Sequence, residues 1–288
     1  MITRGALLGS SFLKRGIRMY GSMIRMELVR TLSRWQPWVA LLLWVGLLIQ
    51  GYEVFYPEPQ MYVEPGSFNV FVAFTKTHGY DLAFLTPVIP LLAVMVAGDS
   101  LAWDVRTGFQ HSMLLRMNGK EYILGKLIAI SCITFLFVWI GELLGFLYAM
   151  IRYPVIFPPY IIEGITPDYA QGLFMDYPIL FLLLIIFNTA MAAVAFALIA
   201  VALSTKIKNL YAILALPWLG FTSLEFITQI LGGTRISPLK YTGYYFLAVF
   251  QYKVWEIPLF WVSLAALAFL LTYVLFNTQL KRGGQLVK

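Results

Sequence analysis

The chain has 288 residues, 60% of them hydrophobic and only 12% charged, and its mean hydropathy is +0.78. A soluble domain carries about 25% charged residues, so these proportions exclude that class and leave lipid as the solvent for most side chains. The net charge of +7 does not describe a nucleic-acid surface either, because the basic residues alternate with long apolar runs instead of forming one patch.

At the N-terminal end, Leu13, Ile17, Tyr20, Ile24, Leu28, Leu32 and Trp35 fall on one arc of a helical projection, and Arg15, Arg18, Arg25, Arg30 and Arg34 lie outside it. This pattern predicts an amphipathic helix over 11–36, lying in the headgroup layer where anionic lipid attracts its basic face. Pro37 is expected to break it before the first span. The first 37 residues hold seven basic residues and no uninterrupted apolar core, so no cleavable signal peptide is expected.

A crossing helix needs about 20 mostly apolar residues for about 30 Å of hydrocarbon, since unpaired backbone is not tolerated there. Six runs meet this requirement, over 38–56, 82–98, 127–150, 177–205, 210–232 and 257–278. The second is the shortest and carries Pro87 and Pro90. The single cysteine, Cys132, falls in the third, which excludes an intramolecular disulfide and a cysteine-based metal cluster. Small residues from Ala190 to Ala202 in the fourth let a neighbouring helix approach closely. The expected fold is an all-α integral membrane protein, with 1–288 as a single transmembrane domain of six transmembrane helices.

With the N-terminus inside, 16 of the 21 Lys and Arg lie on inner segments, and only Lys76, Arg152, Arg235, Lys240 and Lys253 lie outside. The positive-inside rule then predicts that both termini are cytoplasmic. The loop over 99–121 falls on the same side. In it Asp99 and Asp104 follow an apolar span, Gly108 permits a sharp change of direction, and Phe109, Met113 and Leu114 form a short apolar stripe. A short surface-parallel docking helix is expected there.

No phosphate-binding loop accompanies it. Gly119-Lys120 and Gly125-Lys126 lack both the upstream glycine and the following hydroxyl, so the chain is not expected to hydrolyse ATP or to be an enzyme by itself. His78 and His111 stand alone, without ligand spacing, and read as solvated loop histidines; no metal or other bound cofactor is expected. Glu142 and Glu225 are exceptions of another kind, because each lies inside an apolar run where a charge costs about 2.5–3.5 kcal/mol. Both sit toward the outer leaflet. They are expected either to line one outward-facing cavity on the translocation pathway or to hydrogen-bond between helices. The first three spans show no internal repeat with the last three, which counts against inverted-repeat secondary transporters.

The positions Asp99, Asp104, Gly108, Glu121, Tyr122, Gly125 and Lys126, with Ile24-Arg-Met-Glu27-Leu before the first span and Ile236-Ser-Pro238-Leu-Lys-Tyr241 after the fifth, resemble the type 2 ATP-binding-cassette (ABC) exporter permeases. That family reads Asp, then Glu about a turn later, then Gly-Thr, Glu-Tyr and Gly-Lys. Here Asp104 stands in place of Glu and Phe109 in place of Thr, and no Pro follows near Met117. The resemblance implies an N-terminal interfacial helix, six spans, a cytoplasmic coupling helix after the second span, and short outer-leaflet helices between the fifth and sixth, for which 233–256 suit.

It also implies a function. The chain would be the permease subunit of an exporter in a prokaryotic plasma membrane, moving an amphipathic peptide, lipid-like or drug-like substrate outward. ATP and Mg would be held by a separate ATPase subunit, two copies per complex, and a second permease chain would complete a homodimer or heterodimer. Asp99, Asp104, Arg106, Gly108 and Phe109 would form the ATPase contact. The main rival is an ion-coupled secondary transporter using Glu142 or Glu225. A membrane-embedded enzyme would need a converging His, Asp, Glu or Cys cluster that the sequence does not supply, and a scaffold leaves the loop resemblance unexplained.

Overall fold

The computed structural model describes residues 21–54, 69–78, 84–157, 159, 167, 169–232, 237–243 and 252–285. Among these the chain is helical with no strand. Five helices are long and apolar enough to cross a membrane, and a bent pair brings the number to six if it counts as one span.

The first helix, α1, occupies 21–32; residues 11–20 of the expected interfacial helix lie outside the described residues. Its buried positions are Met23, Glu27 and Thr31, four residues apart, while Leu32 and Trp35 of the apolar arc stay exposed. The face turned to the protein is therefore partly polar, and of the apolar arc Leu28 packs against the core while the C-terminal end of the arc looks outward. The break comes at Ser33 and Arg34, ahead of Pro37. Pro37 instead sits in the first turn of α2 (Trp35–Val54), where a missing N–H breaks no helical bond.

A buried helix, α3 (Val70–Thr77), lies where only an outer loop was expected. Asn69 caps it, accepting from the N–H of Phe71 at 3.0 Å and of Val72 at 3.1 Å. At eight residues it spans about 12 Å, too short to register as a crossing run. The next segment is α4 (Leu85–Ala93) continued by a π turn (Val94–Gly98). Pro90 inside α4 has no N–H to give to the carbonyl one turn back, and a wide turn follows it. Gly98 allows a close approach to α9, since a Cβ there would stand 3.1 Å from Ala200 Cβ. The chain then bends by 42° into α5 (Ser100–Arg106). Gly108, at φ 73°, turns it again into α6 (Phe109–Leu114), which has no buried residue.

The helix α7 (Gly119–Arg152) begins eight residues before the predicted third span, so Glu121, Tyr122, Gly125 and Lys126 belong to a helix and not to a loop. Tyr122 and Lys126, one turn apart, share a face. After the short α8 (Gln171–Asp176) comes α9 (Pro178–Ser204), which packs against α7, α4, α10 (Leu210–Ile230) and α12 (Glu256–Gln285). All the alanines from Ala190 to Ala202 are buried in these contacts, as close helix approach requires. Of the expected outer-leaflet helices the described residues include α11 (Pro238–Thr242); 233–236 and 244–251 lie outside them.

Candidate functional site

Four charged side chains from three elements meet at one end of the bundle. Glu27 and Arg30 are one turn apart on α1, Asp104 projects from α5, and Lys126 from α7. Arg30 Nη1 lies 3.1 Å from Glu27 Oε1 and its Nη2 donates to Asp104 Oδ1. Lys126 Nζ lies 2.8 Å from Glu27 Oε1 and 2.6 Å from Asp104 Oδ2, and Tyr122 Oη donates to the same Asp104 oxygen at 2.6 Å. Two carboxylates and two cations cancel, which is what makes their burial tolerable.

Asp104, just past the bend, and Lys126 have no accessible side chain. Burial alone disfavours the Asp104 carboxylate, but Lys126, Arg30 and Tyr122 outweigh it and hold Asp104 below the ordinary aspartate value. Arg30 is likewise opposed by burial, yet Asp104 and Glu27 hold it above the ordinary arginine value. A second pair lies alongside: Arg34 grips Asp99 with both Nη atoms, one at 2.9 Å. Both arginines also cover aromatic rings, Arg30 at 4.2 Å from the Phe109 centroid and Arg34 at 5.4 Å from that of Trp103. Together these contacts fasten α1 to α5, α6 and α7 as one block.

The five residues expected at an ATPase contact thus separate by position. Asp99 and Asp104 face inward into ion pairs, Phe109 is half-buried under Arg30, and Gly108 and Arg106 are exposed. Beyond them Leu115 is 76% exposed, a large apolar side chain at the end of α6. The residues that hold this block, Arg30, Arg34 and Lys126, were not singled out as site residues from the sequence. One signal was present: Glu27 is the only acid in the first 37 residues.

The two intramembrane glutamates are brought to different neighbours. Glu142 of α7 is completely buried and accepts from Trp44 Nε1 of α2 at 3.1 Å, and its other oxygen lies 3.1 Å from His78 Nε2. His78 is therefore not the solvated loop histidine expected. It is 2% exposed at the end of α3, where that helix brings it back into the bundle, and its Nδ1 meets the Phe74 carbonyl at 2.9 Å. His111 is exposed on α6.

Glu225 of α10 accepts from Gln229 Nε2 at 2.9 Å, from the Leu239 N–H at 3.0 Å and from Ser237 Oγ. It serves as an extra cap at the start of α11. Neither glutamate lines the apolar groove of about 750 Å³ between α7, α9 and α12, whose walls include Cys132, Met191, Leu198 and Phe269. No protein-family model matches the chain, and no curated protein matches it either.

Proposed function

We propose that the chain is the membrane-spanning subunit of an ABC exporter of the type 2 permease family. In this reading Leu85–Gly98 is the sixth crossing, α5 and α6 lie on the cytoplasmic side with both termini, and the membrane is the plasma membrane of a prokaryote. The cargo is amphipathic, and a second permease chain completes the dimer. Energy comes from ATP and Mg on two separate ATPase chains, since the sequence holds no phosphate-binding loop of its own.

The observation that carries this reading is the charge-locked block. A helix without buried residues, α6, is mounted on a rigid charged frame that also holds α1 and the start of α7. Force applied to α6 by a closing ATPase pair would reach α7 and the α4–α5 bend without being lost in loop motion. The docking surface is the stretch from Gly108 to Leu115; Asp99 and Asp104 act as positioning residues behind it, and Arg106 borders it.

Mild-detergent purification of the tagged full chain, with identification of the chains that co-purify, tests the proposal. An ATPase subunit is expected, and Leu115→Asp should lose it while leaving the unfolding temperature of the permease unchanged. If no ATPase co-purifies and transport follows an imposed pH gradient instead, the exporter reading fails. The buried Glu142–His78 contact favours the second reading in that case, an ion-coupled transporter in which Glu142 carries the proton.

A further inference from the structure

A crevice of about 360 Å³ lies between α5 and the α9–α10 turn, lined among others by Ala102, Arg106, Ser204, Lys208, Asn209 and Tyr211. That is the small end of the range for ligand pockets. Its lining contains two cations and no carboxylate. Arg106 comes from the last turn of α5 and Lys208 from the turn before α10, so two separate elements bring their charges to one opening.

Both side chains are exposed, and among the described residues neither makes an ion pair or hydrogen bond. Arg30, Arg34 and Lys126 nearby are all paired. The base of the crevice is apolar: Ala102 packs with Val94, Ala200 and Ile213, and Leu210 and Leu214 extend that surface along α10. On the outward side Tyr211 is 83% exposed at the start of α10.

We infer that this crevice binds the phosphodiester headgroup of an anionic phospholipid, with its acyl chains lying along α10. Arg106 and Lys208 hold the phosphate by charge. The Asn209 side chain already caps the N–H groups of Tyr211 and Ala212, so the site rests on the two cations and not on the helix end. An apolar base that runs along α10 through Leu210 and Leu214 suits a lipid better than a soluble phosphate ester, and unpaired basic groups between helices at the membrane surface attract anionic headgroups. The inference rests on the reading of the long helices as membrane spans.

The test uses the purified full chain in mild detergent with dioleoyl phosphatidylglycerol or dioleoyl phosphatidylcholine, bound lipid being counted by native mass spectrometry. Phosphatidylglycerol should be retained in preference. The preference should fall about fivefold in Arg106→Gln and about thirtyfold in Arg106→Gln with Lys208→Gln, about 2 kcal/mol at 1.4 kcal/mol per tenfold. Arg106→Lys should keep most of it, and Arg116→Gln, an exposed basic side chain elsewhere, should keep all of it. Equal retention of the two lipids, an equal loss in Arg116→Gln, or displacement of the lipid by equimolar glycerol phosphate would each overturn the site. Release of the chain from membranes by alkaline carbonate without detergent would overturn the span reading and the site together.

Discussion

Glu27, Arg30, Asp104 and Lys126 bring two negative and two positive charges to one site, and the loss of any single one unbalances it. Removing one leaves a charge without its counter-ion, at a cost of about 3–5 kcal/mol, whereas a balanced pair can be removed far more cheaply. Lys126→Met should therefore lower the unfolding temperature of the detergent-solubilised chain sharply, and adding Glu27→Gln should recover part of the loss. Asp104 supplies a pH signature for the same variant. Its folded-state value lies below the ordinary 3.8, so its contribution is complete above that value and is lost as pH falls through the lower one. Without the Lys126 ammonium the folded value rises, and acid unfolding of Lys126→Met should begin at higher pH than in the parent. Coincident acid-unfolding curves by tryptophan fluorescence would count against the cluster as a source of stability.

Helix pairing has its own rule in this protein, small residues placed under large ones. Gly141 and Gly145 of α7 stand one turn apart and receive Trp44 and Leu48 of α2. This Gly-x-x-x-Gly spacing is readable in the sequence, but only the packing shows which helix it receives. A Cβ on Gly145 would lie 2.5 Å from Leu48 Cδ1, while one on Gly220 of α10 would meet nothing within 4 Å. Gly145→Ile should cost about 1–3 kcal/mol through overpacking, and Gly220→Ile should cost much less of the packing. The same close pairing carries Trp44 to its hydrogen bond with Glu142, so α2, α3 and α7 are joined by two buried polar contacts at Glu142.

Across the whole molecule, the described helices place Gly108–Leu115 at one end of α7 and Tyr153–Phe157 at the other, 34 helical residues apart. At a rise of about 1.5 Å per residue this distance exceeds the hydrocarbon thickness of about 30 Å, so a membrane crossed by α7 separates the two. In a Cys132→Ala background, His111→Cys should react with a membrane-impermeant maleimide in inverted vesicles and not in intact cells, and Val155→Cys should do the reverse. Labelling of both from the same side would refute a crossing by α7, and with it the exporter reading. The side expected for each label is the one that the basic-residue asymmetry of the sequence predicts.

The sequence by itself determined the helical, membrane-type character of the chain, the approximate extent of the long apolar runs and the turn at Gly108, because hydropathy, run length and glycine are local properties. Glu142 and Glu225 could be located as polar residues inside apolar runs for the same reason. Only the tertiary structure decided what those residues meet. Glu27 and Lys126 are 99 positions apart, and His78 and Glu142 are 64 apart, so no local pattern joins them. The buried helix α3 is not legible because its eight residues, five of them apolar, are too few to read as a span and too irregular to read as an amphipathic surface helix. The loop at 99–121, which the sequence offered as an exposed contact, is held from behind: Asp104 pairs with Arg30 and Lys126 and Asp99 with Arg34, because a carboxylate that packing removes from water must find hydrogen-bond donors there.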